Sequence, residues 1–436
     1  MEPDNKYQSL TPIGLTDYRN EHIPFYIKDA DRARSLYAAG KSGVGKTTLL
    51  LNMAISDIQK GKGIVFLDPH SDAALTLLDY VTPERVTDVV YFNATDIEYP
   101  IAFNPLYNVA PDQRHIATAN LIATFKRIFN LHNTPRLEYI LTQCILTLLH
   151  YPTATLLDIQ PLLTNKVFRE EVLMHVTEMH IKLFWYSEYD KYTPAFRMEA
   201  ISSVLNKINI FITNPILRNI VGQQGSINIK EVLDSGQILI CNLSKGEIGE
   251  DTAALLGTML LSTVQQAVLQ RASQRATKRI PVYCYVDEAH TMLNSASAAT
   301  SMLSECRKFG FSLFLTNQYL EQLPEEIRAA IFGNVGTLIS FQVGNKDAEI
   351  LAKEFVPVFM ASDFISLPKH SMYLKLMIDG MTSKGFSALS LPLPPVQQSY
   401  KEEIIAFSRS TYSIAQEILI ELLPPKRHKP TQNTLF

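Results

Sequence analysis

Residues 40–50 read GKSGVGKTTLL, and the glycine pattern in this stretch decides which fold the chain can adopt. Residues 35–39 (SLYAA) form a short apolar run typical of a buried strand, and residues 48–60 carry apolar side chains at helical spacing. A strand, a glycine-rich loop and a helix in this order form a unit whose backbone N–H groups can curl around an anion. A plain glycine turn beside a solvent-facing lysine is the alternative, and the complete motif in this setting argues against it.

The loop predicts a site for a nucleoside triphosphate. Its glycines let successive N–H groups face inward, and the start of the helix adds partial positive charge at the same point. Lys46 can reach the β- and γ-phosphates, and the hydroxyl of Thr47 can ligate Mg²⁺. We therefore expect ATP and Mg²⁺ as cofactors, and the expected nucleotide-contacting residues are Gly40, Ser42, Gly43, Val44, Gly45, Lys46, Thr47 and Thr48.

The composition of the chain is that of a soluble globular protein. Its 436 residues allow about two or three domains of ~150 residues each, and 46% of them are apolar and 19% charged. The formal net charge is −3, so any contact with nucleic acid must come from local patches. No apolar stretch approaches the length of a transmembrane helix. We expect a cytoplasmic protein without a membrane span of its own, which only partners would recruit to the inner membrane.

The apolar runs divide the chain into five parts. Strand-like runs alternate with helices in residues 30–110, which contain the glycine-rich loop, and again in residues 229–395. Long segments with three- and four-residue apolar spacing predict an inserted all-helical domain in residues 111–228. Residues 1–29 are interpreted as a lead-in or cap, and residues 396–436 as a flexible basic tail. The alternation predicts an α/β fold with a mainly parallel, twisted sheet that binds ligands at the carboxyl ends of its strands.

An acidic pair follows the apolar run of residues 280–286 (IPVYCYV), and it is the expected partner of a phosphate-binding loop. Asp287 would hold Mg²⁺ through a water molecule, and Glu288 would act as general base toward the water beside the γ-phosphate. The alternative is a strand that ends in two solvated acids. The adjacent glutamate separates this chain from small GTPases and nucleotide kinases, which lack it in this position.

Three short matches to other families do not hold. DEAH (287–290) spells a helicase box, but it lies much farther from the glycine-rich loop than one small domain, and no second core domain follows. GNKDAE (344–349) places its aspartate one residue too early for guanine recognition. NLSKGEIGED (242–251) lacks the double glycine of a transporter signature.

The ordered set of motifs resembles the FtsK/HerA superfamily of ring-forming DNA-pumping ATPases. Within it, the chain is most similar to the TraG/TraD-like conjugative coupling proteins of type IV secretion systems and their soluble relatives. The resemblance implies a RecA-like P-loop core, a helical domain inserted between the two Walker motifs, and a hexameric ring that moves DNA. It covers most of residues 33–391, in RSLYAAGKSGVGKTTLL, FLDPHSD, DVVYFNATDIEYPIAFNPL, ILICNLSKGEIGEDTAALLG, VYCYVDEAH, LSECRKFGFSLFLTNQYLEQL and AIFGNVGTLISFQVGNKDAE.

The resemblance assigns roles to two further residues. Gln318, just past a strand and a Thr-Asn pair, matches the glutamine that senses the γ-phosphate. Arg307 matches the arginine finger that a subunit of such a ring lends to its neighbour's nucleotide, where a planar cation stabilises the transferring phosphoryl group. A turn residue at 318 and a surface arginine at 307 are the alternatives. The implied catalytic residues are Lys46, Glu288, Gln318 and Arg307.

Two groups of basic residues in the sequence are candidates for contact with DNA. Between a helix and a strand, where a solvated loop is the favoured interpretation, lie Arg271, Arg275, Lys278 and Arg279. The second group, near the end of the sequence, contains Lys426, Arg427 and Lys429. No individual DNA-contacting residue follows from this. The expected partners are DNA, single- or double-stranded, further copies of the chain, and secretion-system or relaxosome proteins.

The resemblance is incomplete, and two functions stay open. Membrane-bound coupling proteins begin with transmembrane helices, which this sequence does not show, and no role follows for His290 or Gln342. The first hypothesis is an ATP-hydrolysing ring motor that translocates DNA. The second is a secretion-system assembly or protein-export ATPase with the same core and no functional DNA contact.

Overall fold

The computed structural model describes residues 9–129, 131, 134–293 and 296–422. The chain divides into two compact units. We call the first the sheet unit, which comprises residues 1–95, 123–132 and 228–408. The second, which we call the helical unit, comprises residues 96–122, 133–227 and 409–436.

Every strand in the described part of the chain belongs to the sheet unit. The strands are β1 (Leu10–Thr16), β2 (Pro24–Lys28), β3 (Leu36–Ala39), β4 (Gly63–Asp68), β5 (Val89–Asn93), β6 (Ile238–Asn242), β7 (Val282–Val286), β8 (Phe311–Asn317), β9 (Thr337–Ser340), β10 (Ser371–Lys375), β11 (Met377–Ile378), β12 (Met381–Thr382) and β13 (Phe386–Ser390).

Eleven of these strands form one mixed sheet in the order β2-β1-β13-β10-β9-β3-β8-β7-β4-β6-β5. The strands from β9 to β5 in this order pair in parallel, and β10, β13, β1 and β2 continue the sheet in antiparallel pairs. The predicted α/β class with a mainly parallel sheet is therefore confirmed. We call the side where β3, β8, β7 and β4 end the carboxyl edge, and the side where they begin the amino edge.

The described part of the chain also contains α-helices, which are distributed over both units. They are α1 (Asp29–Arg32), α2 (Lys46–Gln59), α3 (Asp72–Leu78), α4 (Arg114–Ile128), α5 (Pro135–Leu148), α6 (Ile159–Thr164), α7 (Lys166–Met174), α8 (Met179–Leu183), α9 (Pro194–Thr213), α10 (Pro215–Val221), α11 (Ile229–Ser235), α12 (Lys245–Ile248), α13 (Glu250–Gln270), α14 (Ala296–Ser304), α15 (Glu325–Asn334), α16 (Asn345–Phe355), α17 (Ala361–Ser366), α18 (Lys401–Tyr412) and α19 (Gln416–Leu422).

The central strands are buried because helices cover both of their faces. β3, β4, β6, β7 and β8 consist entirely of buried residues, which explains their near-continuous apolar sequences. On one face, Leu50 and Met53 of α2 join Phe66 and Phe314 of the sheet in a single hydrophobic cluster. The helix that follows the glycine-rich loop is thereby fixed against the strands that carry the acidic pair and Gln318.

Residues 1–29, interpreted as a lead-in or cap, contain two strands in the part that the structure describes, and residues 1–8 lie outside the described residues. Residues 10–16 and 24–28 are strands of the main sheet, and Gly14 pairs with Ser390 of β13. A Cβ atom at Gly14 would lie 2.5 Å from the carbonyl oxygen of Leu389, so glycine is required where the two strands approach. These strands are hard to recognise in the sequence, because each contains a proline and a buried position of β1 is occupied by the polar Thr11.

The structure also differs from the flexible tail expected over residues 396–436. Residues 401–412 and 416–422 form the helices α18 and α19. Ile404 of α18 is fully buried, and the hydroxyl of Ser408 accepts a hydrogen bond from the backbone N–H of Tyr91 (3.0 Å). Only Ile404 and the polar Ser408 are buried among the twelve residues of α18, so the apolar signal of this helix in the sequence is weak. The basic group at 426–429 lies outside the described residues.

Within the residues that the structure describes, one helix meets the length and composition expected of a membrane span. It covers Glu250–Ser273, and 67% of its most apolar window is buried within the protein. In the structure it is α13 of the sheet unit, whose buried residues include Leu255, Leu260 and Val264.

The far end of the P-loop helix is anchored by a buried ion pair. Asp57, in the last turn of α2, accepts two hydrogen bonds from the guanidinium of Arg32, at 2.8 and 2.7 Å. The same guanidinium donates to the hydroxyls of Thr11 (2.6 Å) and Tyr285 (2.7 Å). Burial alone would raise the pKa of Asp57, but Arg32 and Lys62 outweigh it and hold that pKa below its ordinary value.

We expect Asp57→Ala to destabilise the fold by roughly 3–5 kcal/mol, because it leaves the buried Arg32 charge with only the more distant carboxylate of Asp29, at 3.7 Å. The change in free energy should be read from urea unfolding at neutral pH. Asp379→Ala, which removes the exposed partner of Lys28, is the control and should change unfolding little.

The contribution of Asp57 to stability depends on pH in a direction that follows from its lowered pKa. Since the pKa of Asp57 is lower in the folded state, its contribution is present above the unfolded-state pKa of about 4 and is lost as the pH falls below it. The difference in the free energy of unfolding between wild type and Asp57→Ala should therefore become smaller as the pH falls below about 4. A difference that stays constant down to the pH of acid unfolding would contradict the stabilising role of the Asp57 carboxylate.

Candidate nucleotide site

The glycine-rich loop leaves β3 at the carboxyl edge and is held there by its neighbours on both sides. The N–H of Gly40 donates to the carbonyl of Asn317 at the end of β8 (3.2 Å), and the N–H of Lys41 donates to the carbonyl of Gln342 beyond β9 (2.8 Å). A Cβ atom at Gly40 would lie 2.6 Å from the Cβ of Phe341, so the loop packs against that side chain only because residue 40 is glycine. Gln342, which the sequence left without a role, thus supports the loop.

The loop presents backbone donors that the protein itself does not use. Within the described residues, the backbone N–H groups of residues 42–45 donate no hydrogen bond. Gly45 has a φ of +123°, a conformation that side chains rarely allow, and the helix α2 begins at the next residue. Free N–H groups at a helix start form an anion site, which fits the expected phosphates.

Lys46 is buried at the centre of this arrangement. Its ammonium group donates to the carbonyls of Gly40 (2.5 Å) and Lys41 (2.8 Å), which keeps its charge at the loop. Burial lowers the pKa of Lys46, and the carboxylates of Asp287 and Glu288 act in the opposite direction. The lysine and the acidic pair therefore share one electrostatic environment although they are far apart in sequence.

Asp287 joins three segments of the carboxyl edge. Its Oδ2 accepts a hydrogen bond from the hydroxyl of Thr47 in α2 (3.2 Å), and its Oδ1 accepts one from the hydroxyl of Thr316 in β8. Asp287 is 4% exposed and Thr316 is fully buried. The sequence predicted that Thr47 and Asp287 hold the same metal ion, but it indicated no role for Thr316. The Thr-Asn pair that precedes Gln318 was the signal in the sequence that could have pointed to Thr316.

Glu288 is held in an unusual backbone conformation beside this carboxylate. It has φ 49° and ψ 51°, in the left-handed region, and is 4% exposed. Its Oε2 lies 3.5 Å from Nδ1 of His290, a histidine whose pKa is lowered by burial although Glu288 opposes the shift. A non-glycine residue in the left-handed region costs free energy, and this conformation persists because the surrounding structure holds the backbone in place. The fixed backbone of Glu288 in turn limits the directions in which its carboxylate can point.

Gln318 and its neighbours lie at the same edge. Gln318 follows β8 directly and is partly exposed, next to the residue whose carbonyl binds the N–H of Gly40. The side-chain amide of Asn317 lies 3.1 Å from Nδ1 of His290. The contact between His290 and Asn317, two residues for which the sequence gave no role in the site, thus links the segment after the acidic pair to the end of β8, which Gln318 follows.

Asp68 is a further buried acid at this edge. It ends β4, beside β7, and its two carboxylate oxygens accept the N–H groups of His70 (2.8 Å) and Ala74 (2.9 Å). Burial raises the pKa of Asp68, those two hydrogen bonds oppose the shift, and Asp287 adds to it. Asp68 therefore orders the turn from β4 into α3 next to the site. The sequence showed it only as the last residue of a strand.

Arg307 is the predicted site residue that the structure does not bring to the others. It lies in a short 3₁₀ helix, Cys306–Phe309, which precedes β8 at the amino edge. The seven residues of β8 separate it from the carboxyl edge, which at ~3.3 Å per residue is about 20 Å. The Arg307 side chain is exposed and forms no ion pair within the described residues. Arg307 therefore lies apart from the other predicted site residues of its own chain.

The residues present fit a magnesium nucleotide. Free N–H groups and the buried Lys46 match the negative charge of phosphates, and the oxygens of Thr47 and Asp287 lie side by side. Hydroxyl and carboxylate oxygens are ligands that Mg²⁺ prefers. Gly43, Val44 and Thr48 lie in or directly after the loop, and the carbonyl of Val44 accepts the N–H of His370 (3.0 Å).

Comparison with solved structures identifies the fold. The bacterial conjugative coupling protein TrwBdeltaN70 is 14% identical over 86% of this chain and 89% of its own, with a TM-score of 0.62. The plasmid coupling protein TrwB in complex with ADP and Mg²⁺ is 13% identical over 86% and 89%, with a TM-score of 0.60. VirB4 of Thermoanaerobacter pseudethanolicus is 13% identical over 91% and 99%, with a TM-score of 0.62.

No protein-family model matches the chain, and no curated protein matches it. The likeness to solved structures is therefore one of fold at low sequence identity. The sequence-derived resemblance to the coupling-protein type of P-loop ATPase is confirmed at that level: the chain has the P-loop NTPase fold shared by TrwB and VirB4.

We expect Thr316→Val to lower ATP turnover about tenfold or more, because a hydrogen bond to a charged group contributes about 1.5–3 kcal/mol. The variant removes the buried hydroxyl that holds one oxygen of Asp287, so the Mg²⁺ concentration for half-maximal turnover should also rise. Thr316→Ser keeps the hydroxyl and is the matched control. Wild-type turnover and Mg²⁺ dependence in Thr316→Val would show that the hydroxyl has no part in the site.

Proposed function

We propose that the protein is a Mg²⁺-dependent ATPase whose site lies at the carboxyl edge of the sheet. This proposal is based on one observation: Lys46, Thr47 and Asp287 lie together at that edge, and the Thr47 hydroxyl is 3.2 Å from the Asp287 carboxylate. When bound, the magnesium nucleotide would supply the phosphoanhydride bond that is hydrolysed. The loop N–H groups and Lys46 bind its phosphates, and Thr47 and Asp287 hold the metal, the latter through water.

Two residues are proposed to act on the attacking water. Glu288 accepts its proton as general base, and its fixed backbone conformation supports a carboxylate with one direction. Gln318, partly exposed at the end of β8, orients the water and responds to the γ-phosphate. Glu288 directly follows Asp287 at the end of β7, and Gln318 directly follows β8, the strand that pairs in parallel with β7.

We further propose that the ATPase works as a hexameric ring that translocates DNA, of the conjugative coupling type. The fold shared with a conjugative coupling protein supports this proposal. The exposed guanidinium of Arg307, on the order of 20 Å from its own P-loop, supports a role on the nucleotide of a neighbouring subunit.

A secretion-system assembly or protein-export ATPase is the second candidate. The chain is as similar to VirB4 as to TrwB, with TM-scores of 0.62 for both, so fold likeness favours neither. DNA contact is the property that separates the two candidates, since only the first requires it.

ATP turnover with and without DNA should distinguish these functions. The DNA motor predicts turnover that rises with single- or double-stranded DNA and is no longer stimulated as salt is raised, because phosphate contacts release counterions. Glu288→Gln is the control for hydrolysis at the proposed site and should bind ATP but turn over little. Turnover that ignores DNA and responds to a protein partner would replace the first function with the second.

A subunit-mixing experiment should test Arg307. Arg307→Ala and Glu288→Gln should each be nearly inactive, and their mixture should recover part of the turnover, because some interfaces then combine an intact arginine with an intact glutamate. Lys308→Ala removes the neighbouring exposed charge and should keep wild-type turnover without DNA. Rings that form in the mixture but stay inactive would contradict a finger acting between subunits.

A further inference from the structure

Two loops of the sheet unit meet at the amino edge, on the opposite side of the sheet from the P-loop. One loop, residues 271–281, leads from α13 into β7, and the other, residues 305–310, leads into β8. The N–H of Val282 donates to the carbonyl of Gly310 (2.9 Å), and a guanidinium nitrogen of Arg279 donates to the carbonyl of Lys308 (2.8 Å). The two loops therefore form one surface.

Two arginines build this surface from within. Arg271 is fully buried, pairs with Asp234 (2.9 Å) and donates to the carbonyl of Ile280 (3.0 Å). Arg279 donates to the carbonyls of Arg271 (3.1 Å) and Gln274 (2.7 Å). Their guanidinium groups are engaged with backbone oxygens, so we assign them a structural role.

Four other cations remain exposed on the same surface: Arg275, Lys278, Arg307 and Lys308. Because Arg307 is proposed to reach a neighbouring subunit's nucleotide, we reserve the name basic patch for Arg275, Lys278 and Lys308. In the described part of the chain, none of these four side chains forms an ion pair or a side-chain hydrogen bond. The acids of the two loops and their surroundings are engaged elsewhere. Asp234 binds Arg271, Lys230 and Gln274, and Glu305 accepts from the hydroxyl of Ser301 (3.0 Å).

The concentration of charge is a local property, because the whole chain has a formal net charge of −3. Four like charges on adjacent loops repel one another, and a partner with closely spaced negative charges would relieve that repulsion. We propose that the basic patch binds the phosphodiester backbone of duplex nucleic acid, without reading its sequence. This inference extends the proposed DNA translocation by naming a contact surface.

The chemistry of the surface favours a duplex over the other polyanions. Binding of single strands commonly uses exposed aromatic side chains for base stacking. The one aromatic ring of the two loops, Phe309, lies 5.1 Å beneath the guanidinium of Arg279 and is covered by it. A membrane surface usually also takes inserted apolar side chains, and here only Ile280 is an exposed large apolar residue, at 39%. Guanidinium and ammonium donors without stacking or insertion suit phosphates along a duplex.

The test compares two triple variants with equal changes in charge. The patch variant is Arg275→Ser with Lys278→Ser and Lys308→Ser, which leaves Arg307 intact because of its proposed catalytic role. The control variant is Lys346→Ser with Lys353→Ser and Lys384→Ser, three exposed lysines elsewhere in the sheet unit. Each variant removes three positive charges from the full chain. Binding of a labelled duplex of mixed sequence is measured by fluorescence anisotropy between about 50 and 200 mM salt.

The patch variant should reduce the slope of log affinity against log salt by about 2.7, at ~0.9 for each phosphate that the protein no longer neutralises. Near 0.1 M salt its affinity should fall by about 10²-fold or more. The control variant should keep the wild-type slope. The single variants Lys278→Ser and Lys308→Ser should each lower the slope by about 0.9, which preserves the test if the triple variant folds poorly.

Several results would overturn the inference. They are an unchanged slope in the patch variant, an equal reduction in the control variant, or a wild-type protein that binds no duplex. A patch variant that keeps duplex binding but no longer binds phosphatidylserine vesicles would assign the surface to lipid headgroups instead. ATP turnover without DNA, measured on the same preparations, should be unchanged by the patch variant. A wild-type protein without ATP turnover would count against the proposed ATPase. The role of the basic patch in binding duplex is decided separately, by the slopes of log affinity against log salt.

Discussion

The hydrogen bonding of Asp287 is the interaction on which the candidate site depends. One carboxylate oxygen takes the hydroxyl of Thr47 from the P-loop helix, and the other takes the hydroxyl of Thr316 from the neighbouring strand. Because β3, β8 and β7 are adjacent and parallel, their ends meet only if the sheet has this order. The buried pair of Arg32 and Asp57 fixes the other end of the same helix. A change in either place would displace the loop that is to hold the phosphates.

The amino-acid sequence predicted the parts of the fold whose signal is local. The loop from Gly40 to Thr47, the acidic pair after β7 and the buried strands each depend on residues that are contiguous in the chain. Thr316 and Asn317 were not recognised as site residues, since their importance comes from neighbours on other strands. The strands β1 and β2 and the helix α18 were also missed, because their burial is partial and is set by contacts with distant segments.

The two edges of the sheet differ in their charge and in their use of backbone groups. At the carboxyl edge, Asp287 and Glu288 act on a buried lysine beside a loop with free N–H groups, and the buried Asp68 ends a neighbouring strand. At the amino edge, two arginines satisfy the carbonyls of two loops, and four exposed cations remain without partners in the described residues. Arg307 belongs to the second edge. The resemblance assigns it to the nucleotide of a neighbouring subunit, and we keep that role as a proposal, supported by its distance of about 20 Å from the carboxyl edge of its own sheet.

The central claim is that Lys46 and the acidic pair form one magnesium-nucleotide site. Calorimetric titration of the purified chain with ATP and Mg²⁺ tests it most directly, alongside Lys46→Ala and Glu288→Gln. The account predicts saturable binding by the wild type and by Glu288→Gln, which keeps the phosphate-binding loop, and severely weakened binding by Lys46→Ala. A folded wild-type protein that retains no ATP with Mg²⁺, or that binds it equally well without the Lys46 ammonium group, would contradict the account.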